Sequence, residues 1–195
     1  MINKGDIKAF FDKCAPTWDA EMVRSDEKIG RILDNAGVGS GCRVLDVACG
    51  TGVLIPDYLA RKVQSVTGVD ISPEMIKIAE GKFTAENVKF ICGDVETAEV
   101  GHGFDAIVIY NAFPHFPEPE KLIAHLSTLL APGGRLTVAH GASRETIDAH
   151  HHGAASHVSM GLMPADELAS IFAKSLTVVT EISDDEMYQV VGVKE

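Results

Sequence analysis

Asp46 closes a short apolar run and is followed almost at once by two glycines, in the stretch Val44 to Gly52, VLDVACGTG. Gly50 and Gly52 lack a Cβ, so their backbone can take positive φ and approach a bound group closely. A carboxylate at that place would repel a pyrophosphate but suits a ligand carrying an ammonium or sulfonium. Asp70 ends a second apolar run, SVTGVD, about twenty residues beyond the glycine turn, the spacing at which a carboxylate meets ribose hydroxyls. Two hydroxyls can donate to one carboxylate as strong charge-assisted bonds. A third acid, Asp94, follows the run Val88 to Cys92, where a turn aspartate is the bland alternative. Two histidines, His115 and His140, follow two later apolar runs, and imidazole is a side chain suited to taking a proton from a hydroxyl or thiol near neutral pH. Five of the eight histidines fall between His140 and His157.

These groups need strands and turns to bring them together. Val44 onward reads as strand, glycine loop and helix, with Val53 to Lys62 as the first crossover helix and Pro56 tolerated in its first turn. Ser65 to Asp70 reads as a second strand, and Ser72-Pro73-Glu74 as the N-cap and first turn of a helix carrying Met75, Ile76 and Ala79. Val88 to Cys92 is a third strand. Phe104 to Ile109 is a near-continuous apolar run, as expected of a central parallel strand buried on both faces. Pro117 and Pro119 open a helix with Leu122, Ile123 and Leu126, and His125 on it reads as structural. Pro132-Gly133-Gly134 turns into a fifth strand, Arg135 to Ala139. After a last helix from Met163 to Phe172, Thr177 to Ile182 and Met187 to Val193 read as two strands of an antiparallel hairpin. Ahead of the first strand, Ile7, Phe10, Phe11 and Cys14 share one helical stripe that Pro16 ends, and Ser25 caps a helix stopped by Gly37.

The run D-x-A-C-G-T-G resembles the first motif of class I S-adenosylmethionine-dependent methyltransferases, with Asp46, Ala48, Gly50 and Gly52 at matching positions and Ala48 where the family usually has glycine. FFDKCAPTWD is similar to the leading segment of small-molecule methyltransferases of the quinone-biosynthesis type, and LAPGGRLTVAH resembles the wider family's segment. The resemblance implies a seven-stranded, doubly wound α/β sheet, mostly parallel with a C-terminal antiparallel hairpin and helices on both faces. It implies S-adenosyl-L-methionine as cofactor, held by Trp18, Asp46, Ala48, Cys49, Gly50 and Gly52, by Asp70 on the ribose, by Ile71 and Met75 beside the adenosine, and by Asp94 and Val95 at the adenine. Asn111 and Ala112 pass the methyl group, Phe113 and His151 belong to the substrate, and His115 and His140 are the candidate bases. Trp18 reads equally well as a core tryptophan.

One domain over residues 1–195 is expected, with a helical cap over 1–40 and a substrate lid over 141–163. A chain 46% hydrophobic with net charge -11 argues against nucleic acid and anionic membrane surfaces as partners. A small-molecule substrate is expected, a homodimer is left open, and the lack of a signal peptide or spanning run points to the cytoplasm. Cys14, Cys42, Cys49 and Cys92 form no C-x-x-C pair, so reduced thiols are expected, with Cys49 reactive only if its loop lowers its pKa. His140, one of His150 to His152, and His157 match a divalent metal in ligand type. Their spacing matches no zinc signature, so no metal is expected. The acceptor is a phenol, quinol, thiol or amine, or a carbon nucleophile, with a planar amide or base nitrogen disfavoured because no Asn-Pro-Pro-Tyr type motif ends the fourth strand. The rival readings are a non-catalytic S-adenosylmethionine or S-adenosylhomocysteine binder and a nucleotide-dependent oxidoreductase, the latter disfavoured because G-x-G-x-x-G is missing.

Overall fold

The apolar runs dictate the centre of the molecule. Phe104–Tyr110 (β4) is buried at every residue but Asp105, and its neighbour Arg43–Val47 (β1) at every residue but the first. The computed structural model describes residues 2–151 and 157–195, and the side chains of His150 and His151 fall outside that description. With Ser65–Asp70 (β2), Val88–Cys92 (β3), Leu130–His140 (β5), Thr177–Ser183 (β6) and Tyr188–Val193 (β7), these strands form one seven-stranded sheet in the order β3-β2-β1-β4-β5-β7-β6. β1 pairs in parallel with both β2 and β4, and only β7 runs antiparallel, lodged between β5 and β6. Chain order reverses between β1 and β4, which makes the carboxyl ends of those strands the switch point at which open α/β sheets bind ligands.

Alternation along the strands feeds two cores. Leu45 and Val47 of β1, Ile107 and Ile109 of β4, and Leu136 and Val138 of β5 pack against Pro119–Leu129 (α6) and Ala165–Phe172 (α8). Val44, Ala106, Val108 and Ala139 face the other way, onto Asp26–Asn35 (α3) and Ile55–Ala60 (α4). Each fully buried isoleucine or leucine in these layers contributes about 1.5–3 kcal/mol relative to an exposed one. Lys4–Cys14 (α1) and Pro73–Lys82 (α5) touch each other beyond β2 and β3, and Arg144–His151 (α7) follows β5.

Three elements differ from the sequence reading. Pro16 ends α1 but does not break the helical path: it sits at the start of a 3-10 turn, Ala15–Thr17, that runs into the short helix Trp18–Glu21 (α2). Proline is tolerated there because a first-turn amide needs no helical partner. The first crossover helix begins only at Ile55 and lasts six residues. Ala48, Gly50 and Gly52 at φ 54°, 55° and 86° keep the chain out of helix until then. β5 extends back through Pro132-Gly133-Gly134, since Gly133 N donates to Lys194 O at 2.7 Å and Lys194 N to Gly134 O at 2.9 Å. A Cβ on Gly134 would lie 2.7 Å from the Phe104 carbonyl oxygen, so the close approach of those two backbones needs glycine.

Candidate active site

The loop after β1 is held by β2. Cys49 N donates to Val69 O at 3.1 Å, and Gly50 N donates to Asp70 Oδ2 at 2.9 Å. The other oxygen of Asp70 accepts Ser72 N at 2.8 Å. These amides use only part of the acceptor capacity of a carboxylate, and the remainder is left for a further donor. Burial pushes the Asp70 carboxyl up, with its two amide donors pulling the other way. Asp46 is buried more deeply. Its carboxyl is pushed up to about 8 by burial and by the neighbouring Asp70, while the Tyr58 hydroxyl acts in the opposite direction. Its Oδ2 atom has no hydrogen-bond partner. Burial likewise raises the Cys49 thiol well above its usual range, so the condition for its reactivity, a lowered pKa, is not met.

A roof built by α1 and α2 crosses the loops that follow β1, β2 and β3. Lys4 pairs with Asp94 at 2.5 Å and with Glu96. Asp12 accepts the Ser72 hydroxyl at 2.6 Å, and Asp19 takes both the Thr51 hydroxyl and, at 2.7 Å, Lys82. Between these ties, the Phe11 ring stands edge-on to Trp18 and to His115, at centroid distances of 5.7 and 4.9 Å. From below, His125 binds the Val95 carbonyl through Nε2 at 3.1 Å, which is the structural role expected of it.

The cleft under this roof collects most of the residues singled out above. Trp18, Ala48, Cys49 and Gly50 line its glycine-loop side, Asp70, Ile71 and Met75 the β2 side, and Asp94 and Val95 the β3 side. Asn111, Ala112 and His115 line the end beyond β4. Asn111 sits at φ 54°, and its side-chain oxygen accepts Gly141 N at 3.0 Å, tying the end of β4 to the end of β5. His115 Nδ1 lies 2.8 Å from Val158 O. A carbonyl can only accept, so Nδ1 carries the proton and a neutral ring holds its lone pair on Nε2.

Four expected site residues stand elsewhere. Asp46 is 2% exposed, behind the loop rather than on the cleft wall. Gly52 serves packing, since a Cβ there would meet the Phe83 ring at 2.7 Å. Phe113 is buried in the α6 and α8 core. His140 is 1% exposed and edge-on to Tyr188 at 6.0 Å, so it does not share the cleft with His115. The side chain of His151 lies outside the described residues, as do residues 152–156, and among the described residues no group of three His, Cys, Asp or Glu converges as a cation site. The sequence reading missed Lys4, Met22, Val53, Tyr110 and Phe116, all of which line the cleft. Of these only Tyr110, at the end of a buried strand, carried a signal, because strand ends at this edge face the ligand.

The family profile described as "Methyltransferase domain" matches residues 44–134. The malonyl-[acyl-carrier protein] O-methyltransferase of Priestia megaterium is 29% identical over 197 residues, covering 93% of this chain and 71% of the relative. The ubiquinone biosynthesis O-methyltransferase of Xylella fastidiosa is 41% identical over 103 residues, 51% of this chain and 42% of the relative. The chain spans about half, or less, of the length of most of the curated relatives it matches. Among solved structures, an S-adenosylmethionine-dependent methyltransferase from Aquifex aeolicus superposes with a TM-score of 0.73 at 18% identity, covering 96% of this chain and 98% of its own. No helix among the described residues is long and apolar enough to cross a membrane.

Proposed function

We propose that the chain is a class I S-adenosylmethionine-dependent methyltransferase that binds S-adenosyl-L-methionine in this cleft and methylates a small-molecule acceptor, a reading supported by the methyltransferase-domain match and by the O-methyltransferase relatives. The observation that carries the reading is the convergence on one cleft of the glycine loop, Asp70 and Asp94 from three successive strand ends. The donors and acceptors fit the cofactor. Asp70 retains acceptor capacity beyond its two amides, which suits a ribose diol, and Asp94 and Val95 stand where an adenine edge would meet a carboxylate and an apolar side chain. The Asp46 carboxyl behind the loop keeps its proton in the ligand-free protein, and a cationic ligand in front of it would favour its ionised form.

When bound, S-adenosylmethionine supplies a methyl carbon on a positively charged sulfur, already activated for displacement. The chain's own task is then mostly alignment and exclusion of water. The roof of Phe11 and Trp18 excludes water from one side, and Asn111 fixes the backbone at the other. His115 takes the acceptor's proton at Nε2, its Nδ1 proton being held by Val158 O.

In the same reading, residues 1–195 form one methyltransferase domain with residues 1–40 as cap and 141–163 as lid, residues 152–156 of which lie outside the described residues. The net charge of -11 supports a protein without a nucleic-acid partner. A cytoplasmic location belongs to this reading too, and size-exclusion chromatography separates a monomer from a homodimer. The central test is calorimetric titration with S-adenosylmethionine, S-adenosylhomocysteine and NADH in parallel. Binding of both adenosyl ligands and not of NADH is expected. Binding of NADH alone would overturn the proposal in favour of an oxidoreductase.

A further inference from the structure

Lys4, Ile7 and Phe11 line the cleft from α1, at the i, i+3 and i+7 spacing that puts side chains on one face of a helix. Lys4 and Phe11 are about 10 Å apart along the helix axis. Phe11 stands against His115, and Lys4 pairs with Asp94. The helix therefore runs lengthwise over the cleft, with its first residue at the β3 end. An ammonium has three N–H donors. Lys4 gives one to Asp94 Oδ2 at 2.5 Å and one to Glu96, and the third meets no acceptor among the described residues. Burial works against the charge, but the hydrogen bonds to Asp94 and Glu96 outweigh it and raise the Lys4 pKa. Asp94 is fixed as well, since its Oδ1 accepts Glu96 N at 3.1 Å. Each of its oxygens keeps a lone pair for a further donor. One wall of the cleft thus carries a charged donor and a carboxylate acceptor side by side, both held in place before any ligand arrives.

We propose that Lys4 reads the base of the cofactor: its third N–H donates to a ring nitrogen of adenine that flanks the 6-amino group, N1 or N7, while Asp94 accepts from that amino group. The proposal rests on the methyl-transfer reading above, since it takes adenine to be the group at the β3 end. Adenine carries a donor beside an acceptor on either edge that includes the 6-amino group, and the Lys4 and Asp94 pair is the complement of that pattern. In a 6-oxo purine a carbonyl would face the Asp94 carboxylate, two acceptors with no proton between them, so the same pair selects against it. Lys4 is then more than a tie that holds α1 down. It is a specificity-determining residue supplied by the roof.

The test is a calorimetric titration of the full chain and of Lys4→Met, which keeps an unbranched apolar stem, with three ligands. These are S-adenosylhomocysteine and its 1-deaza and 7-deaza analogues, each of which lacks one of the two ring nitrogens. Lys4→Met is expected to weaken S-adenosylhomocysteine by roughly ten-fold or more, the size of a charge-assisted bond. It is expected to leave the affinity for at least one analogue within about two-fold, because that analogue has already lost the partner of Lys4. The unmoved analogue also shows that the variant keeps its fold, and it tells N1 from N7. If Lys4→Met weakens all three ligands alike, Lys4 only ties α1 to the loop after β3 and the proposal fails. Unchanged affinity for S-adenosylhomocysteine overturns it as well. If the unaltered chain binds none of the three, the methyl-transfer reading itself fails and takes the Lys4 assignment with it.

Discussion

At the residue scale, two carboxylates define the site in different ways. Asp70 faces the cleft with acceptor capacity to spare, and each charge-assisted bond to a ligand hydroxyl contributes about 1.5–3 kcal/mol. Asp70→Ala is therefore expected to weaken S-adenosylhomocysteine binding by roughly ten- to a hundred-fold in a calorimetric titration. Unchanged affinity would remove Asp70 from the site. Asp46 is hidden, and its consequence is a pH dependence. Its carboxyl titrates at about 8 in the folded protein against 3.8 as the reference, so the folded state keeps a proton that the unfolded chain has lost. The contribution of Asp46 to the stability of the ligand-free protein must then fall as pH rises from about 4 and level off above about 8, beyond which the raised Cys49 thiol extends the fall. Thermal unfolding followed across that window should show the midpoint dropping, and Asp46→Asn should flatten most of the slope, leaving the smaller share due to Asp70. A midpoint that rises with pH would contradict the burial of Asp46.

At the scale of elements, the roof is the part most open to manipulation. α1 and α2 are tied down by partly exposed pairs, each worth up to about 1 kcal/mol. Asp19→Ala, which severs the ties to Thr51 and Lys82, is expected to speed S-adenosylhomocysteine release by roughly five-fold in stopped-flow, with high salt producing a similar gain in the unaltered protein but less in the variant. An unaltered release rate would mean that α2 does not bar the exit. The elements themselves were largely legible. Apolar runs ending in Asp46 and Asp70 and the unbroken stretch Phe104 to Ile109 carry the period and the boundaries of parallel strands. The roof was not legible, because Lys4 meets Asp94 across ninety positions of sequence and no local pattern encodes such a pair. His140 was misplaced for a different reason. It shares the alternation of Leu136 and Val138, which puts its ring into the α6 and α8 layer against Tyr188 and away from the ligand.

For the whole molecule, ligand binding and folding are linked. A compound that fills the cleft of the folded state alone adds about 2.7 kcal/mol at a hundred times its dissociation constant. For a chain of this size that corresponds to a rise of roughly 5–10 °C in the unfolding midpoint. S-adenosylhomocysteine is expected to produce such a rise in a thermal scan and NADH none, and equal effects of the two would deny selectivity for the adenosyl ligand. The sheet order carries a consequence of another kind, in time. β7 follows β6 in the chain, yet it lies inside the sheet, with β5 on one side and β6 on the other. As the chain leaves the ribosome, β6 therefore has no neighbour to join, and β5 keeps a bare edge, until residues 188–193 have followed. The sheet can close over β5 and β6 only once Tyr188–Val193 has emerged, so a nascent chain stalled before Tyr188 would expose β5 to other strands and stand as the species most prone to aggregate.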